Sequence, residues 1–194
     1  MKKVLLTILA AGLTLTGFAQ KMTWDVDATH SSVHFTVQHL VISEAEGNFK
    51  VFNGTVETTA ADFNNAAIKF DIDVASVNTD NEMRDKHLKG DDFFQADKFP
   101  KASFVSKSFT KVKGNAYKLV GELTMRGVTK PVSFDVTYNG NGKDAYGRTV
   151  AAFKMKGKIN RMDYGIKWNA AVEAGSAVGD EVELTSRIEL VKKA

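Results

Sequence analysis

The chain contains no cysteine, which removes disulfide staples, thiolate metal ligands and a thiol nucleophile at once. Proline is nearly absent, at Pro100 and Pro131 only, so long stretches of backbone are free to enter hydrogen-bonded ladders. Neither sign of charge dominates. Lys and Arg number 26 against 23 Asp and Glu, and setting aside Lys2 and Lys3 leaves 24 against 23. That balance gives no electrostatic footprint for nucleic acid or for an acidic membrane surface, and no nucleic-acid partner is expected.

Long apolar runs are missing as well, with one exception at the N-terminus. Lys2 and Lys3 precede a nearly uncharged stretch from Val4 to Phe18, and Gly17 and Ala19 place small residues at positions −3 and −1 of a cut before Gln20. This is the pattern of a secretory signal peptide, too short and too close to its cut site for a good membrane anchor. The reading is therefore a leader over residues 1–19 and one exported domain over 20–194, periplasmic or secreted and not membrane-spanning. With no cysteine at the cut, a lipid-modified N-terminus is chemically excluded.

Signatures of catalysis are lacking too. There is no G-x-S-x-G elbow, P-loop or dinucleotide fingerprint. His30, His34 and His39 invite a metal reading, but His34 and His39 are five apart on a strand pattern and face opposite ways, so no metal is expected. Asp71, Asp73 and Asp135 fall on faces that alternate away from the apolar side, where charge serves solvation. The chain is read as a non-enzyme with no cofactor.

What is abundant is phenylalanine, 13 in all, recurring with Val and Thr at every second position. Val33, Phe35 and Val37 alternate with His34, Thr36 and Gln38; Ile68, Phe70, Ile72 and Val74 with Lys69, Asp71 and Asp73; Val132, Phe134, Val136 and Tyr138 with Ser133, Asp135 and Thr137. Ala151, Phe153, Met155, Gly157 and Ile159 oppose Ala152, Lys154, Lys156 and Lys158, while Val182, Leu184, Ile188 and Leu190 oppose Glu181, Glu183, Thr185, Arg187 and Glu189. One apolar and one polar face is the mark of a half-buried antiparallel strand. With further strands at Gly47–Val56, Ala102–Phe109 and Tyr117–Arg126, the count reaches about eight, which suits a closed barrel or a sandwich. Turns are expected at Lys113-Gly114-Asn115 and at Asn139-Gly140-Asn141-Gly142. Thr79-Asp80-Asn81-Glu82 reads as a capping box opening a short helix to Lys89, with Asp80 and Arg84 paired at i,i+4 and Gly90 as its stop.

Taken in order, these segments resemble the YceI-like proteins, the polyisoprenoid-binding, extended-lipocalin family. The likeness runs through Trp24-Asp25-Val26-Asp27, the stretch from His30 to His39, Gly47-Asn48-Phe49, the helix from Asn81 to Leu88, and Phe93-Phe94 through Phe99-Pro100. It continues through Gly121 to Pro131, the most specific piece, and through Ile159 to Ile166. Two departures are a late terminal segment Val178–Val182 and an intervening stretch Trp168–Glu173 that reads as an ordinary loop.

The resemblance implies an all-β, eight-stranded antiparallel lipocalin-like barrel with one short helix covering an end. It implies a long-chain lipid, a polyisoprenoid or similar amphiphile, held inside for sequestration or transfer, with homodimers as an assembly found in the family. On that footing the apolar lining is Phe35, Val37, Phe49, Phe70, Ile72, Phe104, Leu123, Met125, Phe134, Val136, Phe153 and Met155. Candidate head-group ligands near the mouth are Arg84, His87 and Arg161, cationic or N–H donors suited to a diphosphate or quinone-like group. Arg161 has a structural alternative in Asp163. Competing readings are an enzyme acting on an isoprenoid lipid, an outer-membrane barrel, and a dry-core structural barrel that binds a partner, since an eight-strand barrel is wide enough either to be packed solid or to hold one guest.

Overall fold

In a computed structural model of the chain, residues 20–173 and 175–193 are described; the leader read over residues 1–19 lies outside them. The polypeptide forms an eight-stranded antiparallel barrel with one helix over an end. The strands are β1 (Met22–Val26), β2 (Ser32–His39), β3 (Ser43–Phe49), β4 (Phe52–Thr58), β5 (Ala67–Asp73), β6 (Val77–Asn78), β7 (Lys101–Lys113), β8 (Ala116–Met125), β9 (Val128–Lys143), β10 (Thr149–Asn160), β11 (Ala171–Val172), β12 (Gly175–Ser176) and β13 (Val178–Lys192). The helix α1 spans Glu82–Lys89.

Eight staves emerge because three of them are broken. β1 and β2 are two halves of one stave, and both pair with β13: Val26 faces Leu190, and Ser32 faces Arg187. β3 and β4 form the second stave, broken at Lys50 and Val51, and β5 and β6 the third, broken by a 3-10 turn over Val74–Ser76. These last two breaks are tied together: the Val51 amide donates to Ser76 Oγ at 3.0 Å, and the Asp73 amide donates to the Val51 carbonyl at 2.9 Å. β7, β8, β9, β10 and β13 complete the circle, and β1 to β13 pairing closes it. Beyond the breaks, β6 does not reach β7; the segment 79–100, with α1, stands in that gap.

The alternation seen in the sequence holds through the long strands. Along β8, Tyr117, Leu119, Leu123 and Met125 are buried while Lys118, Val120, Glu122 and Thr124 are partly exposed. Outside, Lys156 pairs with Glu183 at 2.9 Å and Lys158 with Glu181 at 2.6 Å, so this wall carries charge and not an apolar belt. Among the described residues, no helix is long and apolar enough to cross a membrane.

Four phenylalanines are accommodated by four glycines. Phe35 is the cross-strand partner of Gly47, Phe70 of Gly54 and Phe134 of Gly157, and the Phe104 ring lies over Gly121. A Cβ on any of these glycines would collide with the ring. Each ring therefore lies along the wall on bare backbone and does not project across the barrel.

Four local expectations are corrected. The β9–β10 turn lies at Asp144–Arg148, and Asn139–Gly142 continues β9; the Asp144 carboxylate gathers the Tyr146 and Arg148 amides at 2.9 and 2.8 Å and the Arg148 Nε at 2.6 Å, and Gly147 takes the positive φ of 78° that closes the turn. The N-cap of α1 is Asn81, whose Oδ1 accepts from the Arg84 amide at 3.0 Å, and not Thr79. Arg84 does not pair with Asp80, whose φ of 56° turns it away; its Nε and Nη2 donate to Thr79 Oγ1 and O, both at 2.7 Å. The stretch read as a loop before β13 contains the small β11–β12 hairpin, whose two-residue strands are too short to leave an alternating pattern.

The Phe-on-glycine packing is testable by overfilling. Gly157→Val should lower stability by about 1–3 kcal/mol, whereas Gly142→Val, with open space around the added atoms, should change it little; urea unfolding of the two variants beside the parent chain measures the difference.

Candidate functional site: an apolar lumen open at one end

Inside the barrel lies a cavity of about 230 Å³. That is more than ten times the roughly 10–15 Å³ a single water needs. Around it stand Phe35 and Val37 from β2, Phe49 from β3, Phe70 and Ile72 from β5, Phe104 from β7, Leu123 and Met125 from β8, Phe134 and Val136 from β9, and Phe153 and Met155 from β10. Val33, Val182, Leu184, Ile188, Leu88, Phe93 and Phe94 join them. A cavity walled this way holds no water stably, because water there would find no partners.

One end is stoppered. The loop between β4 and β5 folds Phe63 inward, with φ 62°, to 1% exposure. Its ring meets Trp24 at 5.0 Å, Phe153 at 5.1 Å and Tyr138 at 5.6 Å between centroids. The loop is tied down by Tyr117 Oη, which donates to the Asp62 carbonyl at 2.6 Å, and by the Lys111 amide, which donates to Asn64 Oδ1 at 2.9 Å. Sequence reasoning missed this plug because Phe63 stands alone among polar turn residues and belongs to no periodic pattern. At the opposite end the lining residues Val37, Leu88, Phe94 and Val178 are all partly exposed, and this end is the mouth.

The three cationic or imidazole groups expected at the mouth are gathered at that end, each with a protein partner. Arg161 is 3% exposed and lines the lumen, but every one of its N–H groups is engaged. Nε donates to the Gly179 carbonyl at 2.8 Å, Nη1 to the Ile166 and Trp168 carbonyls at 2.9 and 2.7 Å, and Nη2 to the Val178 carbonyl at 3.2 Å and Asp180 Oδ1 at 3.5 Å. Its acidic partner is thus Asp180 and not Asp163. Burial lowers the Arg161 pKa from its usual value, and a guanidinium remains charged nonetheless. His87 Nε2 lies 3.0 Å from Asp92 Oδ2, and its ring meets Phe93 and Trp168 edge-on at 4.9 and 5.0 Å. Arg84 and His87 lie outside the lumen lining.

A second arginine, Arg126 in the β8–β9 turn, donates to the carbonyls of Gly165 and Asp91, the latter at 2.8 Å, and so joins segment 79–100 to the loop after β10. Beside these, Tyr164 is buried with no hydrogen-bond partner for its hydroxyl among the described residues, and burial pushes its pKa to about 12.

The one Asp, Glu and His cluster of three found among the described residues is not part of the lumen lining and sits at the break between β1 and β2. Asp27, His30 and Glu189 have their ligand-capable atoms within 4.8 Å of one another, with the Arg148 guanidinium 3.7 Å from Asp27. Glu189 joins this cluster from 159 positions away, so the three residues leave no spacing motif in the sequence. The hydrogen bond between His30 and Asp27, 3.1 Å long, is the main cause that raises the His30 pKa and lowers that of Asp27.

The match to known proteins now decides the family. Residues 24–190 match the model of the YceI-like domain. The chain belongs to the YceI family. UPF0312 protein SAS2572 of Staphylococcus aureus strain MSSA476 is 39% identical over 165 residues, which cover 84% of this chain and 94% of that one. Among solved structures, the crystal structure of Burkholderia cenocepacia BcnA superposes with a TM-score of 0.72 at 28% identity, covering 84% of this chain and 98% of its own. The Campylobacter jejuni YCEI protein does so with a TM-score of 0.70 at 31% identity, covering 81% and 90%. A polyisoprenoid binding domain from Saccharophagus degradans shares the fold, with a TM-score of 0.62 at 16% identity over 88% of this chain and 98% of that one. The YceI barrel is a non-catalytic fold.

Two outcomes follow from the polar groups. Arg161→Met should cost about 3–5 kcal/mol, because it strands several buried carbonyls, and Arg161→Lys should not restore the loss, since one ammonium cannot reach the positions a guanidinium fork spans; chemical denaturation reads both. In an NMR titration His30 should deprotonate above the usual 6.5 and return toward it in Asp27→Asn. The stabilisation from the pair should hold between the two pKa values, fading as pH rises through that of His30 and as pH falls through the lowered one of Asp27.

Proposed function

We propose that this YceI barrel binds one long-chain apolar ligand, a polyisoprenoid or similar amphiphile, and sequesters or transfers it without covalent change. The observation that carries the reading is the lumen: apolar, stoppered by Phe63 at one end and open at the other. Burial contributes about 0.8 kcal/mol per CH₂, so a hydrocarbon chain gains many times thermal energy by leaving water, against the cost of ordering it. Flat Phe rings and flexible Met side chains in the wall suit a branched chain. That a barrel of the same fold is a polyisoprenoid binding domain agrees with this guest. The leader-like first nineteen residues support a site of action outside the cytoplasm, where an apolar molecule needs a carrier across water.

Native mass spectrometry and organic extraction of the purified protein should recover a long-chain amphiphile at up to one per chain. Leu184→Trp, which puts a large ring into the lumen, should reduce that recovery about tenfold, equivalent to about 1.4 kcal/mol, with the fold retained by circular dichroism. Empty wild-type protein that also takes up no added polyprenol would refute the carrier reading.

A further inference from the structure

The inward face of β13 reads Val182, Leu184, Ser186, Ile188 and Leu190. Four are aliphatic and one is a serine. Ser186 is 5% exposed, lines the lumen, and faces Val33 on one side and Met155 on the other. Its hydroxyl has no hydrogen-bond partner among the described residues. Two other polar residues touch the cavity, and neither offers a free donor to it: Arg161 is committed to carbonyls, and Lys69 lies on the exposed alternate of β5 between inward Ile68 and Phe70. A hydroxyl left unpaired in an apolar site is costly, and alanine or valine would fill the position without that cost.

Depth matters as much as identity. Ser186 and Val178 lie opposite Val33 and His39 of β2, six residues apart, which at about 3.3 Å per residue and a tilt near 40° puts the hydroxyl roughly 15 Å inside. The mouth, by contrast, holds Arg84, His87 and Arg161 in bonds to Thr79, Asp92 and main-chain carbonyls. We infer that the lumen selects a neutral amphiphile that enters polar end first, its single oxygen function hydrogen-bonded to Ser186 and its hydrocarbon tail running out toward α1. The ligand class is a long-chain alcohol, amide or quinone-like carbonyl compound, and not a diphosphate ester, whose charge would be buried beside one hydroxyl. This inference rests on the carrier reading above and specifies how that same site is occupied.

Displacement of a lumen-bound fluorophore, 1-aminoanthracene, by phytol and by its hydrocarbon counterpart phytane tests the anchor. Wild-type protein should prefer phytol about fivefold, the difference one hydrogen bond supplies. Ser186→Ala should erase that preference by weakening phytol relative to phytane, with circular dichroism showing the variant folded. The two tryptophans give the orientation, since Trp24 packs on the Phe63 stopper and Trp168 on Phe93 at the mouth. Bound ω-bromohexadecanol should quench wild-type emission and quench Trp168→Phe little. A phytol preference that survives Ser186→Ala, a wild type with no preference, quenching confined to Trp24, or tighter binding of geranylgeranyl diphosphate than of geranylgeraniol would each overturn the inference while leaving the carrier reading in place. Failure of every one of these chains to displace the fluorophore would remove the carrier reading and this inference together.

Discussion

Whether an eight-stave barrel is a solid core or a container depends on where its large side chains go, and here the decision is made by the contact between phenylalanine rings and bare glycine backbone. Phe35, Phe70, Phe104 and Phe134 are large enough to meet across the axis. Each instead has a glycine beside it, Gly47, Gly54, Gly121 or Gly157, on which its ring can lie. Glycine in a strand costs backbone entropy and gives up packing of its own. The structure accepts that cost four times around the wall, and the space left along the axis is the result. Phe63 shows the opposite use of the same side chain, turned across the barrel to close it.

The mouth is organised by a different force. The segments that frame it, 79–100 and the loop from Arg161 to Val178, have few ladder bonds and leave many carbonyls to be satisfied (the constraint that backbone polar groups be paired applies there most sharply). Arg161 and Arg126 meet that need, each fork joining main-chain carbonyls from segments distant in sequence. A buried guanidinium carries a desolvation cost and repays it only when all its donors are used, which is the arrangement found at Arg161. The same saturation takes Arg161 out of contention for a charged guest.

Much of this was legible in the sequence because strands write their faces at period two. Phe35, Phe134 and Met155 could be assigned inward from their neighbours alone, and so could the rest of the lining on β2, β5, β8, β9 and β10. The breaks were not legible: Gly47–Val56 reads as one strand, since nothing in Lys50-Val51 announces the corner that Ser76 pins from another stave. Asn139–Gly142 carries stronger turn chemistry than Asp144–Arg148, yet the carboxylate of Asp144 moves the hairpin there through bonds that composition does not reveal. Arg161 showed its charge and not its partners, which come from the far side of a loop. Ser186 carries no signal of its own between Leu184 and Ile188, because its meaning depends on a cavity that a one-dimensional pattern does not contain.

The interrupted staves have a kinetic consequence. Where β6 fails to meet β7, the circumference is completed by side chains and loop turns, so the wall has a seam on the α1 side. At that seam the Val74 amide donates to the Pro100 carbonyl at 2.9 Å, whereas widening the cylinder at a β7–β8 or β9–β10 pair would break a whole row of such bonds. In the proposed carrier, the opening energy of that one short segment is then the term that governs how long a guest stays.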